Sequence, residues 1–199
     1  MLKHQLSWMT GVRLILLLLL IWQWGGAAWI TAKAQLAQWL LQRAWGETLE
    51  LQSEPVKPWP WADTWPVARL WVPGQEVELY VLAGAQGNSL AFGPGHMHGT
   101  ALPGEGMSVI GGHRDTHFGF LQQVAVGEEI LLQTSAGNLV RYQVRSAEVV
   151  DSRHQPLLIN QQGRGLVLVT CYPFDALSPG GHLRYVVWAE EVTAFTHSI

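Results

Sequence analysis

Cysteine is almost missing from this chain, in which Cys171 stands alone. One thiol cannot close an intramolecular disulfide or build a cysteine-rich metal site, so the cysteine count leaves the redox compartment open. Charge is scarce too: 14% of residues are charged and the formal net charge is -3. Without a basic excess there is no face with which to neutralise a phosphate backbone, which argues against a nucleic-acid partner. No internal repeat is evident. No Gly-Lys-Ser or Gly-Lys-Thr closes any glycine-rich stretch, which removes support for a nucleotide-phosphate loop. What remains is 48% hydrophobic in 199 residues, enough for one ordinary domain and an appendage.

The appendage is at the N-terminus. From Leu14 to Ile30 no charge interrupts an apolar run that includes Trp22, Trp24 and Trp29. Its length approaches the roughly 20 residues with which a helix crosses the hydrocarbon core, and Trp24 and Trp29 suit the far interface. Residues 12–30 are therefore expected to form a transmembrane signal anchor after a short cytoplasmic stretch, residues 1–11. A cleaved signal peptide is the alternative, since Ala27, Ala28 and Ala32 are small, but the run is longer than the roughly 7 to 15 apolar residues of such a signal. Lys3 and Arg13 precede the span while Lys33 and Arg43 follow it. The short flank with Arg13 at the membrane edge favours the N-terminus inside and the bulk of the chain outside.

Tryptophan then divides the chain, because ten of its eleven residues lie at or before Trp71. Residues 31–66 read as a juxtamembrane helix and linker. Leu36, Trp39, Leu40 and Trp45 could continue the helix or lie at the membrane surface. Pro55, Pro58, Pro60 and Pro66 resist helix and suit an extended linker. Trp59, Trp61 and Trp65 between them are expected to pack it onto the domain.

Residues 67–199 read as one β domain. Val77–Leu82 mixes β-branched and aromatic residues, and Ile130–Thr134 with Leu139–Val144 flanks Ser135-Ala136-Gly137-Asn138 as a hairpin. Leu166–Thr170 and Tyr185–Ala189 are further short strands, and Thr116–Val124 is the one expected short helix. Short strands punctuated by Gly and Pro predict a closed or sandwich-like architecture.

Two chemistries compete for the polar residues. His96, His98, His113 and His117 suggest a metal site by count. Gly111, Gly112 and Gly119 bracket the second pair, however, and disfavour the helix that would align them. The other chemistry is nucleophilic. Cys171 ends an apolar run and is followed by Tyr172-Pro173-Phe174, so it reads either as a small core residue or as a thiol shown at a sheet margin. A free thiol has a pKa near 8.5, so a nucleophilic cysteine gains from a nearby base or cation. His113 could supply a proton to a leaving amine, and an arginine could hold an oxyanion. Arg184, Arg164 and Arg141 all qualify on spacing.

Together these residues resemble the sortase family. Leu166-Val167-Leu168-Val169-Thr170-Cys171 matches its strand ending in Thr-Cys, and Gly112-His113-Arg114 matches the segment bearing its histidine. Arg184, thirteen positions after Cys171, matches its arginine. The loop Phe92–Gly104 and the segment Thr170–Phe174 also look like the proteobacterial class GN sortases.

The resemblance implies a mainly β fold, a closed eight-stranded β-barrel with short helices behind an N-terminal transmembrane helix. It implies a membrane-anchored cysteine transpeptidase at the bacterial inner membrane, single-pass, with its catalytic domain on the periplasmic side. Cys171 would be the acyl-thioester nucleophile, His113 the proton donor and acceptor, and Arg184 the oxyanion stabiliser. The partners would be a protein substrate with a C-terminal sorting motif and an amine acceptor that the sequence does not name. No cofactor is implied for the bond chemistry, and no acidic cluster calls for calcium. The resemblance assigns no role to His96 or His98, and Asp115 reads as a loop or cap residue. Two rivals stand beside this reading: an L,D-transpeptidase-like cell-wall enzyme, whose Ser-His-Gly-Cys signature is absent around Cys171, and a non-catalytic membrane-anchored β binding module with an inert cysteine.

Overall fold

The computed structural model describes residues 2–52, 54–154, 163–176 and 180–192. One α-helix, α1, runs without a break over Leu2–Leu51. The chain falls into two compact units, Met1–Trp39 and Leu40–Ile199. In the first, Leu14 to Ile21 and the neighbouring tryptophans are exposed all round the helix, the pattern of a segment whose solvent is lipid. Met9–Leu51 is the helix, among the described residues, long and apolar enough to cross a membrane.

The second unit begins with the last turns of α1, which are amphipathic. Leu41, Ala44 and Trp45 are buried, and the Trp45 indole donates to Gln133 Oε1 at 3.3 Å. Thr48 receives the backbone N–H of Val56 on its hydroxyl at 3.1 Å, which turns the chain back toward the domain. The Pro-rich linker then follows the barrel surface. The Thr64 hydroxyl donates to the Ala83 carbonyl at 2.8 Å, and Trp59 meets Phe92 edge to face at 5.1 Å. Trp61 departs from the expectation: it is 83% exposed.

Eight strands follow: β1 (Pro66–Val72), β2 (Val77–Ala83), β3 (Gly95–His96), β4 (Met107–Gly111), β5 (Glu129–Thr134), β6 (Leu139–Asp151), β7 (Gly165–Cys171) and β8 (Leu183–Glu191). They close in the order β1-β2-β3-β4-β7-β8-β6-β5, with β5 returning to β1. The expected eight-stranded barrel is present. Pairing is antiparallel except for β2 with β3 and β4 with β7. β1 shows how the sequence makes the wall: its burial alternates residue by residue, with Ala68, Leu70 and Val72 inward. Inward residues of β1, β4, β5, β7 and β8 form one core with Phe118, Leu121 and Tyr142.

β7 is different, because every residue before Cys171 is buried. It is central, flanked by β4 on one side and β8 on the other. Leu166 and Leu168 face the barrel interior, while Val167 and Val169 join Val109, Val150 and Val186 in a second cluster on the outer face. A strand covered on both faces reads as a continuous apolar run, and β7 does.

Two expectations change in detail. β6 extends to Asp151, well beyond Val144, with a register shift between Val144 and Ser146 that bends it toward β8. The segment Thr116–Val124 is a turn followed by a 3-10 helix over Gly119–Gln123, with Gly119, a poor α-helix former, at the helix start.

Candidate active site at the barrel rim

Strand order decides what meets at the rim. Cys171 ends β7, and the antiparallel register sets it directly opposite Arg184, the second residue of β8. On the other side β4 runs parallel to β7, with Gly111 level with Val169. The ladder stops there, and His113 follows Gly111 by two residues as Cys171 follows Val169 by two. The three residues singled out from sequence thus lie at, or within two residues of, the ends of adjacent strands at one rim of the barrel.

Arg164 and Arg141 do not. Arg164 precedes β7 and lies seven residues from Cys171, roughly 23 Å along an extended strand. It pairs with Glu191, and Arg141 pairs with Glu129 on the outer wall. Only Arg184 of these three shares a rim with the thiol.

Each side chain is held by backbone groups. Cys171 is half-buried and is a free thiol. The Arg184 guanidinium donates through Nη1 to the carbonyls of Gly181, at 2.6 Å, and Leu183, at 2.9 Å. That holds one edge of its planar fork and fixes the direction of the rest. Tyr185 beside it stacks on Tyr172 at 6.2 Å and meets Phe174 at 5.2 Å, so the turn after Cys171 is packed against β8.

His113 is exposed on a turn secured at its base. Gly112 donates its N–H to the Val169 carbonyl at 3.1 Å and accepts the Thr170 hydroxyl at 2.8 Å. Phe118 donates its N–H to the His113 carbonyl at 2.9 Å, and its ring is fully buried. Gly112 must lack a side chain, since a Cβ there would stand 2.7 Å from the Phe118 ring.

His117 shares this turn. Burial lowers its pKa from the ordinary histidine value, proximity to His113 lowers it further, and Asp115 opposes both. Asp115 is exposed and lines a polar groove of about 530 Å³ with Arg114 and Gln122 on one wall and Tyr172, Phe174 and Asp175 on the other.

His96 and His98 part company with this site. His96 is 7% exposed, and its Nε2 lies 2.9 Å from the Ala101 carbonyl and 3.1 Å from the Thr100 hydroxyl. Thr100 already donates to the Met97 carbonyl and accepts from Val109, so His96 carries its proton on Nε2 and donates. It fastens the loop 97–101. His98 is exposed on that loop. Among the described residues no group of three or more His, Cys, Asp or Glu side chains is gathered as a metal site.

Sequence reasoning passed over Thr170, Gly112 and Arg114 as working parts. The signals were there: a hydroxyl next to the thiol, a glycine pair before His113, and a cation after it.

Cys171 is thus the register partner of Arg184 across one strand pair, and the strand on its other flank leads into His113, at the rim of a closed eight-stranded barrel. Residues 70–192 match the Sortase domain, and the chain belongs to the sortase family. Sortase D of Bacillus subtilis strain 168 is 29% identical over 124 residues, a match covering 61% of this chain and 62% of that protein. The chain therefore spans less than two thirds of that curated relative. Among solved structures, sortase A from Corynebacterium diphtheriae superposes with a TM-score of 0.59 at 27% identity, covering 69% of this chain and 66% of that one. Sortase C-1 from Actinomyces oris gives 0.58 at 30% identity, with 65% and 75% covered.

Proposed function

We propose that this chain is a membrane-anchored cysteine transpeptidase that cleaves a sorting motif near the C-terminus of a target protein and passes the acyl group to an amine. The carrying observation is the rim register: Cys171 stands opposite Arg184, on a strand whose other neighbour, β4, leads into His113. Cys171 reacts as the thiolate, with the proton carried on His113, and its sulfur attacks the carbonyl carbon of the scissile peptide bond. Negative charge moves to the carbonyl oxygen, where the free edge of the Arg184 guanidinium stabilises it. As the tetrahedral species collapses, the carbon–nitrogen bond breaks and His113 gives its proton to the departing amine. A thioester remains on Cys171. The acceptor amine attacks it, His113 takes that amine's proton, and the carbon–sulfur bond breaks to return the cysteine.

The helix over residues 12–30 is read as the membrane span, with residues 1–11 cytoplasmic and the barrel on the periplasmic side of a bacterial inner membrane.

The test is mass spectrometry of Cys171 in membranes holding the full chain. An acyl adduct whose mass identifies the C-terminal region of a target protein is expected on the wild type and lost in Cys171→Ala. Retained cleavage and transfer in Cys171→Ala would sink the mechanism.

A further inference from the structure

The ladder between β4 and β7 ends at Gly111 and Val169, and the Thr170 hydroxyl extends it only as far as Gly112. His113 and Cys171 both lie beyond that last clamp. Their separation therefore depends on what joins the two turns that follow them. Arg114 joins them. Its Nη2 donates to the Ala176 carbonyl at 2.6 Å, linking the residue after His113 to a turn that begins one residue after Cys171. The guanidinium is half-buried and stands in the wall of the polar groove facing Tyr172 and Phe174.

Both ends of this strap are anchored. On the histidine side, Phe118 is fully buried and holds the His113 carbonyl. On the cysteine side, Tyr172 donates its N–H to the Leu183 carbonyl at 3.1 Å, Ala176 donates its own to Pro173, and Phe174 packs on the core. A hydrogen bond between two fixed turns transmits position, whereas one between loose loops would not.

Resting on the cysteine-transpeptidase reading above, we propose that Arg114 is a positioning residue that sets the distance between His113 and Cys171 by strapping their turns together across the rim. It touches neither the acyl group nor the amine. A charged donor to a carbonyl is among the stronger neutral-acceptor bonds, and lysine supplies the charge and a rotatable ammonium without the fork.

The experiment measures proximity directly and needs no substrate. In full chain carrying His113→Cys, the equilibrium constant for the disulfide to Cys171 is measured against glutathione, with and without a second change at Arg114. Disulfide geometry demands Cα atoms within about 7 Å, so the constant reports the separation of the two positions. The expected result is a disulfide with Arg114 intact, a fall of about tenfold in the constant with Arg114→Ala, and recovery of most of that loss with Arg114→Lys. Circular dichroism of Arg114→Ala controls for folding, and recovery by lysine distinguishes a strap from general destabilisation. An equal constant with and without Arg114→Ala overturns the strap and leaves the transpeptidase reading standing. No disulfide in any background overturns the strap, because nothing would then hold the two positions at a fixed short separation. A confirmed strap in a chain whose Cys171 never acquires an acyl group sinks the transpeptidase reading alone.

Discussion

The Thr170 hydroxyl donates to the Gly112 carbonyl at 2.8 Å, so the residue before Cys171 holds the residue before His113. Thr170 is 2% exposed, and the bond lengthens a parallel ladder by one residue where the backbone alone would let the strands part. Thr170→Val keeps the shape and removes the donor. The hydrogen bond to this half-buried carbonyl is worth about 1 kcal/mol. Thermal unfolding of the Val variant is expected at lower temperature and its transfer rate about tenfold below wild type, with Thr170→Ser close to wild type in both. Full activity in Thr170→Val would show that the backbone bond from Gly112 to Val169 suffices.

Gly112 contributes through what it lacks. A Cβ at this position would stand 2.7 Å from Phe118 Cδ2 and 2.8 Å from Cγ, against a ring with no exposed surface. Gly112→Ala must push the ring or the His113 turn aside, and overpacking of this kind costs about 1–3 kcal/mol. Loss of both stability and transfer is expected. Phe118→Leu in the same chain should return part of the stability, and calorimetry of the four variants of that cycle measures the coupling. Purely additive effects would mean that the clash is relieved elsewhere.

Arg184 tests the meaning of a planar cation. Nη1 is engaged by the carbonyls of Gly181 and Leu183, which leaves the other edge of the guanidinium for the reacting carbonyl. A lysine ammonium keeps the charge but cannot serve both edges at once. Arg184→Lys is expected to lose transfer by about 100-fold, the scale of losing an oxyanion donor, while iodoacetamide still alkylates Cys171. Wild-type turnover in the Lys variant would refute a specific role for the fork.

The sequence shows some of this architecture and hides the rest for physical reasons. The hairpin of β5 and β6 was legible because strand-forming residues flank Ser135-Ala136-Gly137-Asn138, with Gly137 at a positive φ of 81° in the turn. β7 was legible as an apolar run because it is covered on both faces. β3 was not, since a two-residue strand in a glycine-rich loop has no period to read. Nor could the order of strands be read: β4 lies beside β7 although the β5–β6 hairpin separates them in sequence. That pairing carries the segment leading into His113 alongside the strand that ends in Cys171, so the candidate residues could be named from sequence by resemblance while their placement depended on topology. The choice among Arg141, Arg164 and Arg184 shows the same limit, because spacing permits all three and register places one at the rim. The role of His96 was hidden because a histidine bonded to its own loop and one bound to metal look alike in sequence.

Tyr142 offers a test of the core at high pH. It has no exposed surface, accepts the Gly104 N–H on its phenol oxygen at 3.0 Å, and burial pushes its pKa up from 10 to about 12. Below pH 10 the phenol is protonated folded or unfolded, and its hydrogen bond contributes about 1 kcal/mol. Between pH 10 and pH 12 the unfolded chain releases a proton that the folded chain retains, so stability falls as pH rises, by up to about 1.4 kcal/mol per pH unit. Tyr142→Phe removes both contributions. The Phe variant is therefore expected to be less stable than wild type at pH 8 and to close that gap, then reverse it, on the way to pH 12. Urea unfolding of the two full chains in detergent across this range measures the difference, and the other tyrosines cancel because both chains carry them. A gap that stays constant from pH 8 to pH 12 would mean that the phenol ionises as freely in the barrel as in the unfolded chain, and that burial does not hold its proton.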